Sequence, residues 1–284
     1  MISIIICSRT SYLEPQFIEN IRQTIGSDYE LIVINNSENN YSIFEAYNLG
    51  IVKSKGDVLC FIHDDILFHT DGWGILLLKI FGTNQLIGLL GVAGSKIKTK
   101  MPSAWWDCPH DQKAVNIIQH FNDNKKEEWN YGFKGDLMTS VVAIDGVFMA
   151  MRKDKRIVFN TKIKGFHNYD LNISIEYQKY GYDVFVTNQI LIEHFSIGTI
   201  NKSWIKSTLL IHKLYDEFLP LKINCKSDQI FFRQIEFNNG IVFINRSLSL
   251  DLKYNAIMTW FRLLRLKPYS KFHFKFLKIF AAKC

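Results

Sequence analysis

The chain has 284 residues, 48% of them hydrophobic and 21% charged, enough for one sizeable α/β core plus an appendage. Five scattered cysteines (Cys7, Cys60, Cys108, Cys225 and Cys284) are odd in number and show no CxxC spacing; they read as reduced thiols, with Cys7 and Cys60 as small core residues of strands. The formal net charge of +7 belongs to the tail: residues 252–284 carry eight bases and no acid, and the remainder holds 26 bases against 27 acids, which argues against a nucleic-acid groove across the main domain.

A βαβ rhythm occupies the first hundred residues. It predicts strands over 2–7, 30–34, 58–62 and 89–93 and helices over 14–25, 42–53 and 72–82, the alternation of a doubly wound sheet. Residues 99–136 break the rhythm. Trp105, Trp106, Trp129 and Tyr131 stand there among prolines and polar residues, which predicts a long functional loop whose one regular piece is a helix over 112–122. A strand over 141–151, a helix over 169–180 stopped by Gly181, and strands over 183–187 and 190–194 complete the expected catalytic domain, residues 1–200. Residues 201–284 form the expected basic helical extension, in which Pro268 separates two short helices mixing bulky apolar residues with Lys and Arg. Such helices suit an anionic membrane surface, or pack on the catalytic domain or a second subunit. The first residues run straight into a strand without a secretory signal, and the most apolar stretch, near 86–94, is too short to span a bilayer. The expected location is therefore cytoplasmic, peripheral at the inner face of the membrane.

The most informative stretch is Val58-Leu59-Cys60-Phe61-Ile62-His63-Asp64-Asp65. Its near-continuous apolar run suits a strand buried on both faces, and open parallel sheets bind ligands at the carboxyl ends of their strands. Two adjacent carboxylates delivered there repel each other unless a cation or ligand hydroxyls compensate them. The implied chemistry is a metal-bridged phosphate.

Other segments fall into order around this one. Ile2 to Cys7 leads into Ser8-Arg9-Thr10, Glu30 to Ile34 into Asn35-Asn36-Ser37, and Glu45 to Ile51 into Lys55-Gly56-Asp57; later come Asp145 to Arg152, Gly165 to Asp170, and Glu193-His194-Phe195-Ser196. Together, over about residues 1–200, they resemble the family 2 glycosyltransferases with the GT-A fold. The resemblance implies a doubly wound, mostly parallel central sheet that binds a nucleoside diphosphate sugar, with UDP the expected nucleotide. It implies Asp65 as ligand of Mn²⁺ or Mg²⁺, His194 as a third ligand, and Asp64 on the ribose. His63 stands where many members have an acid, and is a further metal candidate. Asn35 and Asn36 stand where many members carry two aspartates, one of which reads the base; an amide can accept the same hydrogen bond, or the segment is a turn. Ser8 and Thr10 could line the same base pocket.

The acceptor side carries a choice. Inverting transfer needs one base to take the acceptor proton. Asp170 is the first candidate, unless it only caps the helix; if Asn168 falls at the usual base position, His167 is the rival. Trp105 and Trp106 offer an apolar platform for a sugar face or lie buried under the loop, and Asp145 either binds sugar hydroxyls or makes a turn with Gly146. The expected function is a metal-dependent, inverting transferase that moves a sugar to a glycan or lipid-linked acceptor in surface polysaccharide synthesis. A sugar-nucleotide nucleotidyltransferase would share the sheet but should carry a glycine-rich phosphate loop that Cys7-Ser8-Arg9-Thr10 lacks. An inactive glycan-binding protein on the same fold remains the other reading.

Overall fold

The computed structural model describes residues 1–121, 125–223 and 229–282, so Cys225, Cys284, Lys283 and the end of the expected 112–122 helix lie outside the described residues. The first unit is parallel. Strands β1 (Ile2–Ser8), β2 (Tyr29–Asn35) and β3 (Val58–Ile62) alternate with helices α1 (Pro15–Thr24) and α2 (Ile43–Lys53), and β1 pairs in parallel with both other strands. Helix α2 starts where the sequence dictates: Ser42 accepts from the Glu45 backbone N–H while Glu45 reaches back to the Ser42 N–H, a reciprocal cap. It packs closely on β1 because Gly50 has no side chain; a Cβ there would lie 2.3 Å from a methyl of Ile5.

Helix α3 (Trp73–Thr83) follows the short strand β4 (Ile66–Phe68), then come β5 (Ile87–Gly91), β6 (Ala93–Ser95) and β7 (Ile97–Lys98). A single helical turn (His110–Gln112) precedes the hairpin β8 (Lys113–His120) and β9 (Lys126–Tyr131), and β10 (Met138–Val141), β11 (Ala143–Ile144) and β12 (Phe148–Arg152) succeed it. Helix α4 (Tyr169–Lys179), β13 (Asp183–Thr187), β14 (Ile192–His194), α5 (Lys202–Leu214) and β15 (Leu221–Lys222) lead to three terminal helices, α6 (Gln229–Ser249), α7 (Lys253–Leu266) and α8 (Phe272–Ala282). The central sheet has seven strands in the order β10-β13-β5-β12-β3-β1-β2, with β12 antiparallel to both β3 and β5. A second sheet runs β11-β6-β8-β14-β4, with β9 added on β8.

The apolar run of β3 is continuous because both faces of the sheet are covered. Val58, Cys60 and Ile62 join the core beneath α1 and α3, whereas Leu59 and Phe61 join the core beneath α2, α4 and α5. Fully burying side chains of this size contributes about 1.5–3 kcal/mol each. The end of β3, where the two acids emerge, is thus rigidly placed.

Several expectations need correction. Residues 113–120 form a strand, not a helix: Val115, Ile117 and Ile118 are β-branched, and Asn116, buried within the strand, donates its amide to the carbonyls of Asn188 and Ile190. The segment 99–136 therefore contains a hairpin rather than a mainly irregular loop. The expected strand 141–151 is three strands, β10 to β12, interrupted by a turn at Asp145-Gly146; the expected 89–93 strand is β5, which ends at Gly91 before β6 departs into the second sheet.

Helices α6 to α8 build a cluster of their own in which Trp260, Leu263 and Phe276 pack with Phe237 and Met101, and the Trp260 and Phe276 rings stack at 5.1 Å. Tyr254, Met258, Phe261 and Arg265 form the exposed stripe of α7 at helical spacing, and Phe274 and Leu277 are exposed on α8. No helix among the described residues is long and apolar enough to cross a membrane.

Candidate active site

Register brings distant residues to the end of β3. Strand β14 pairs His194 with Ile66 of β4 on one side and with Gln119 of β8 on the other, so His194 is delivered beside Asp65. The Phe195 N–H donates to the Asp65 carbonyl at 3.1 Å, which fixes that approach. His63 is anchored by its own N–H to the Val147 carbonyl at 3.2 Å.

One carboxylate oxygen organises the centre. Asp65 Oδ1 is buried and accepts no hydrogen bond, although His63 Nδ1 lies 3.7 Å away and His194 Nε2 3.6 Å away. An unpartnered buried carboxylate oxygen is costly, and a bound water or cation would offset that cost. The three donor atoms lie within 4.8 Å of one another, a set that could hold a divalent cation. Burial raises the Asp65 carboxyl, but the Ser196 hydroxyl, His63, His194 and Arg9 outweigh it and leave the group below its ordinary value. Burial first, and then His63, hold the His194 imidazole below its ordinary value, which favours the neutral, ligating form.

Asp64 faces the other way, toward the end of β1. Its Oδ2 is 3.4 Å from both the Ser8 hydroxyl and the Arg9 N–H, and the exposed Arg9 guanidinium spans Asp64 at 3.3 Å and Asp65 at 3.5 Å. The Ser8 and Thr10 hydroxyls bond each other at 3.1 Å. Asn35 pairs with Ser8 across β1 and β2, and its exposed side chain accepts from the Ser37 N–H at 3.0 Å. The buried Asn36 amide is spent on the loop: it donates to the Tyr41 carbonyl and accepts from the Tyr41 N–H, both at 2.9 Å.

The opposite rim comes from the 145–147 turn and the start of α4. Asp145 accepts from the Trp105 indole at 2.9 Å and from the Val147 N–H at 2.8 Å, so Trp105 is half-buried and pinned while Trp106, edge-on to it, is exposed. Asp170 lies in the first turn of α4 and accepts from the Leu171 N–H at 2.7 Å; burial, and next the charge of Asp145, push its carboxyl up to about 7. His167 is half-buried, with burial lowering its imidazole against an opposing bond from Asn201. Asn168 turns its amide into α5, donating to Ser207 and Thr208 at 3.1 and 3.2 Å.

Sequence reasoning missed three residues. The Tyr169 hydroxyl bonds His63 Nε2 at 2.6 Å, reaching it across Gly146, where a Cβ would stand 2.3 Å from that hydroxyl. Gln119 Oε1 bonds His194 Nδ1 at 3.0 Å, and Arg9 bridges the two acids. Arg9, between Ser8 and Thr10, has no signal of its own beyond its charge at the end of a strand. Gln119 was hidden by the expected helix, and Tyr169 carries no signal beyond its place next to Asp170.

A mixed sheet with an acidic strand end facing a late histidine defines a GT-A glycosyltransferase fold. The model of the glycosyltransferase-like family, of family 2 type, matches residues 3–218, and the chain belongs to that family of enzymes. Among solved structures it is similar to residues 1–349 of TarS from S. aureus in complex with UDP-GlcNAc, at 11% identity and a TM-score of 0.53 over 93% of this chain and 81% of that one. It is also similar to GalNAc-T7 with UDP, GalNAc and Mn²⁺, at 9% identity and a TM-score of 0.50 over 94% of this chain and 56% of that one. No curated protein sequence matches the chain.

Proposed function

We propose that the protein transfers a sugar, with inversion, from a UDP-sugar to a hydroxyl of a glycan or lipid-linked acceptor in surface polysaccharide synthesis, with Mn²⁺ or Mg²⁺ as cofactor. The unpartnered Asp65 Oδ1, buried between two imidazoles, carries the reading. The UDP-sugar of the TarS complex and the UDP and Mn²⁺ of the GalNAc-T7 structure support the choice of donor and cation.

Asp65 and His194 would hold the cation, which supplies charge to offset that developing on the departing diphosphate. Asp64 would hold the ribose, with Ser8, Thr10 and Asn35 around the base; Asn36 shapes the loop beside them. Asp170 takes the acceptor hydroxyl proton as that oxygen forms its bond to the anomeric carbon, and the electron pair of the breaking carbon–oxygen bond leaves with the diphosphate. A carboxyl pushed up to about 7 is well matched to this task near neutral pH. His167 is the second candidate for base. Trp106 presents the exposed ring for an acceptor sugar, and Asp145 fixes Trp105 beneath it.

The same reading sets the enzyme at the cytoplasmic face of an anionic membrane, and the basic, acid-free tail is what supports it. Its exposed apolar residues on α7 and α8, interspersed with Lys and Arg, support peripheral attachment where a lipid-linked acceptor is within reach. The test is incubation of the purified protein with a panel of nucleotide sugars and glycan acceptors, with NMR assignment of the product's anomeric configuration. The reading expects nucleoside diphosphate release coupled to an inverted glycoside. Release of pyrophosphate from a nucleoside triphosphate and a sugar phosphate would instead make it a nucleotidyltransferase.

A further inference from the structure

We propose that His63 is a cation ligand, so that the centre is a two-imidazole, one-carboxylate site that takes Mn²⁺ and later first-row ions in preference to Mg²⁺. The inference rests on the reading of this centre as the donor-cation site and narrows it.

The His194 tautomer follows from the hydrogen bonds. The Gln119 amide nitrogen donates to the carbonyls of His120 and Ser196, each at 2.8 Å, which turns its oxygen toward His194. That oxygen can only accept, so His194 Nδ1 carries the proton and Nε2 presents its lone pair toward Asp65. His63 is oriented from the other side by a hydroxyl, which can accept from Nε2–H and so allows the tautomer whose Nδ1 is free to ligate. Its Nε2 meets the Tyr169 hydroxyl at 2.6 Å, leaving Nδ1 directed at the same Asp65 oxygen. Each imidazole is thus oriented through its far nitrogen, the usual support of a metal-ligating histidine.

The three groups do not satisfy one another. Charge-assisted bonds close to about 2.7–2.9 Å, whereas the two imidazole nitrogens stand 3.7 and 3.6 Å from Asp65 Oδ1. Donors sharing one first-row ion at about 2.1 Å lie roughly 3.0–3.5 Å apart, close to the spacing observed. With an acid at position 63 the donor set would be richer in oxygen. With His63 it is N₂O, and imidazole suits transition ions while Mg²⁺ favours oxygen ligands and dehydrates reluctantly.

The test uses the full chain and metal chlorides alone. Calorimetry should show Mn²⁺ and Co²⁺ binding at least ~10-fold more tightly than Mg²⁺, and the visible spectrum of bound Co²⁺ should report nitrogen ligation. His63→Asp should narrow the preference, gaining Mg²⁺ affinity while losing Co²⁺ affinity. His63→Ala should lose Co²⁺ affinity, and Tyr169→Phe should weaken it by about 10-fold through loss of orientation. Melting curves identify any variant that fails to fold, and the gain of Mg²⁺ binding by His63→Asp cannot come from unfolding. Equal affinities for Mg²⁺ and Co²⁺ in the wild type, or an unchanged Co²⁺ spectrum in a folded His63→Ala protein, overturns the proposal. A selective site in a protein that transfers no sugar would leave this assignment standing and remove the transferase reading; Mn²⁺-dependent transfer with indifferent His63 variants would do the reverse.

Discussion

Replacing Asp170 by Asn removes a charge from the first turn of α4 while keeping the size and the acceptor oxygen that faces the Leu171 N–H. Burial and the neighbouring Asp145 push this carboxyl from its ordinary 3.8 up to about 7, so the folded protein holds the proton more tightly than the unfolded chain. At ~1.4 kcal/mol per pH unit, a rise of about three pH units sets an upper bound of roughly 4 kcal/mol on the cost of ionising it in the fold. Solvent reaching the half-buried group reduces this to an expected ~1–3 kcal/mol. The sign follows from the direction: the stabilising preference for the bound proton is whole below about pH 4 and is lost as pH rises through about 7. Asp170→Asn carries no such loss. It should therefore melt with the wild type near pH 4 and be the more stable protein at pH 8, while its turnover falls by about two to four orders of magnitude. Urea titrations at the two pH values, beside a transfer assay, measure both. A variant less stable than wild type at pH 8 and normal in transfer would refute the reasoning and make Asp170 a helix-capping residue. In the wild type, the acid limb of the rate should rise through about pH 7.

Gly146→Ala drives a Cβ toward the Tyr169 hydroxyl, 2.3 Å away, and should destabilise the fold by about 1–3 kcal/mol while weakening cation binding, measured by melting and metal calorimetry. Asp64→Asn should weaken UDP affinity by about 10-fold or more, as expected for lost charge-assisted bonds, yet leave Mn²⁺ binding in the absence of nucleotide within about twofold. On the tail, Phe261→Ser with Phe274→Ser, both exposed, should keep the melting temperature and abolish flotation with anionic vesicles, whereas equal flotation of variant and wild type removes this face as the membrane contact.

The parallel β1 to β3 unit is legible because apolar strands and a reciprocal helix cap are local signals; Asp64 and Asp65 stand out because they follow such a strand, and His194 because it ends the alternating run 190–194. Most of the second sheet is not legible. Its strands are short, and β8 mixes Asn116 and Gln119 with branched apolar residues, a pattern that a short window does not separate from a helix. The turn at Asp145-Gly146 was visible as a dipeptide, but its service to Tyr169 depends on a contact between segments more than twenty residues apart. The tail's composition announced a basic surface; which of its aromatic residues are buried, such as Phe276, and which exposed, such as Phe274, is decided by packing against α6.

The most direct test of the central claim is calorimetric titration of UDP into the full chain with and without Mn²⁺, repeated for Asp65→Asn. Binding should depend on Mn²⁺ in the wild type and lose that dependence in the variant, because Asp65 Oδ1 is the buried oxygen the cation would satisfy. UDP affinity indifferent to Mn²⁺ in the wild type, or Mn²⁺-dependent binding undiminished in a folded Asp65→Asn protein, would contradict it.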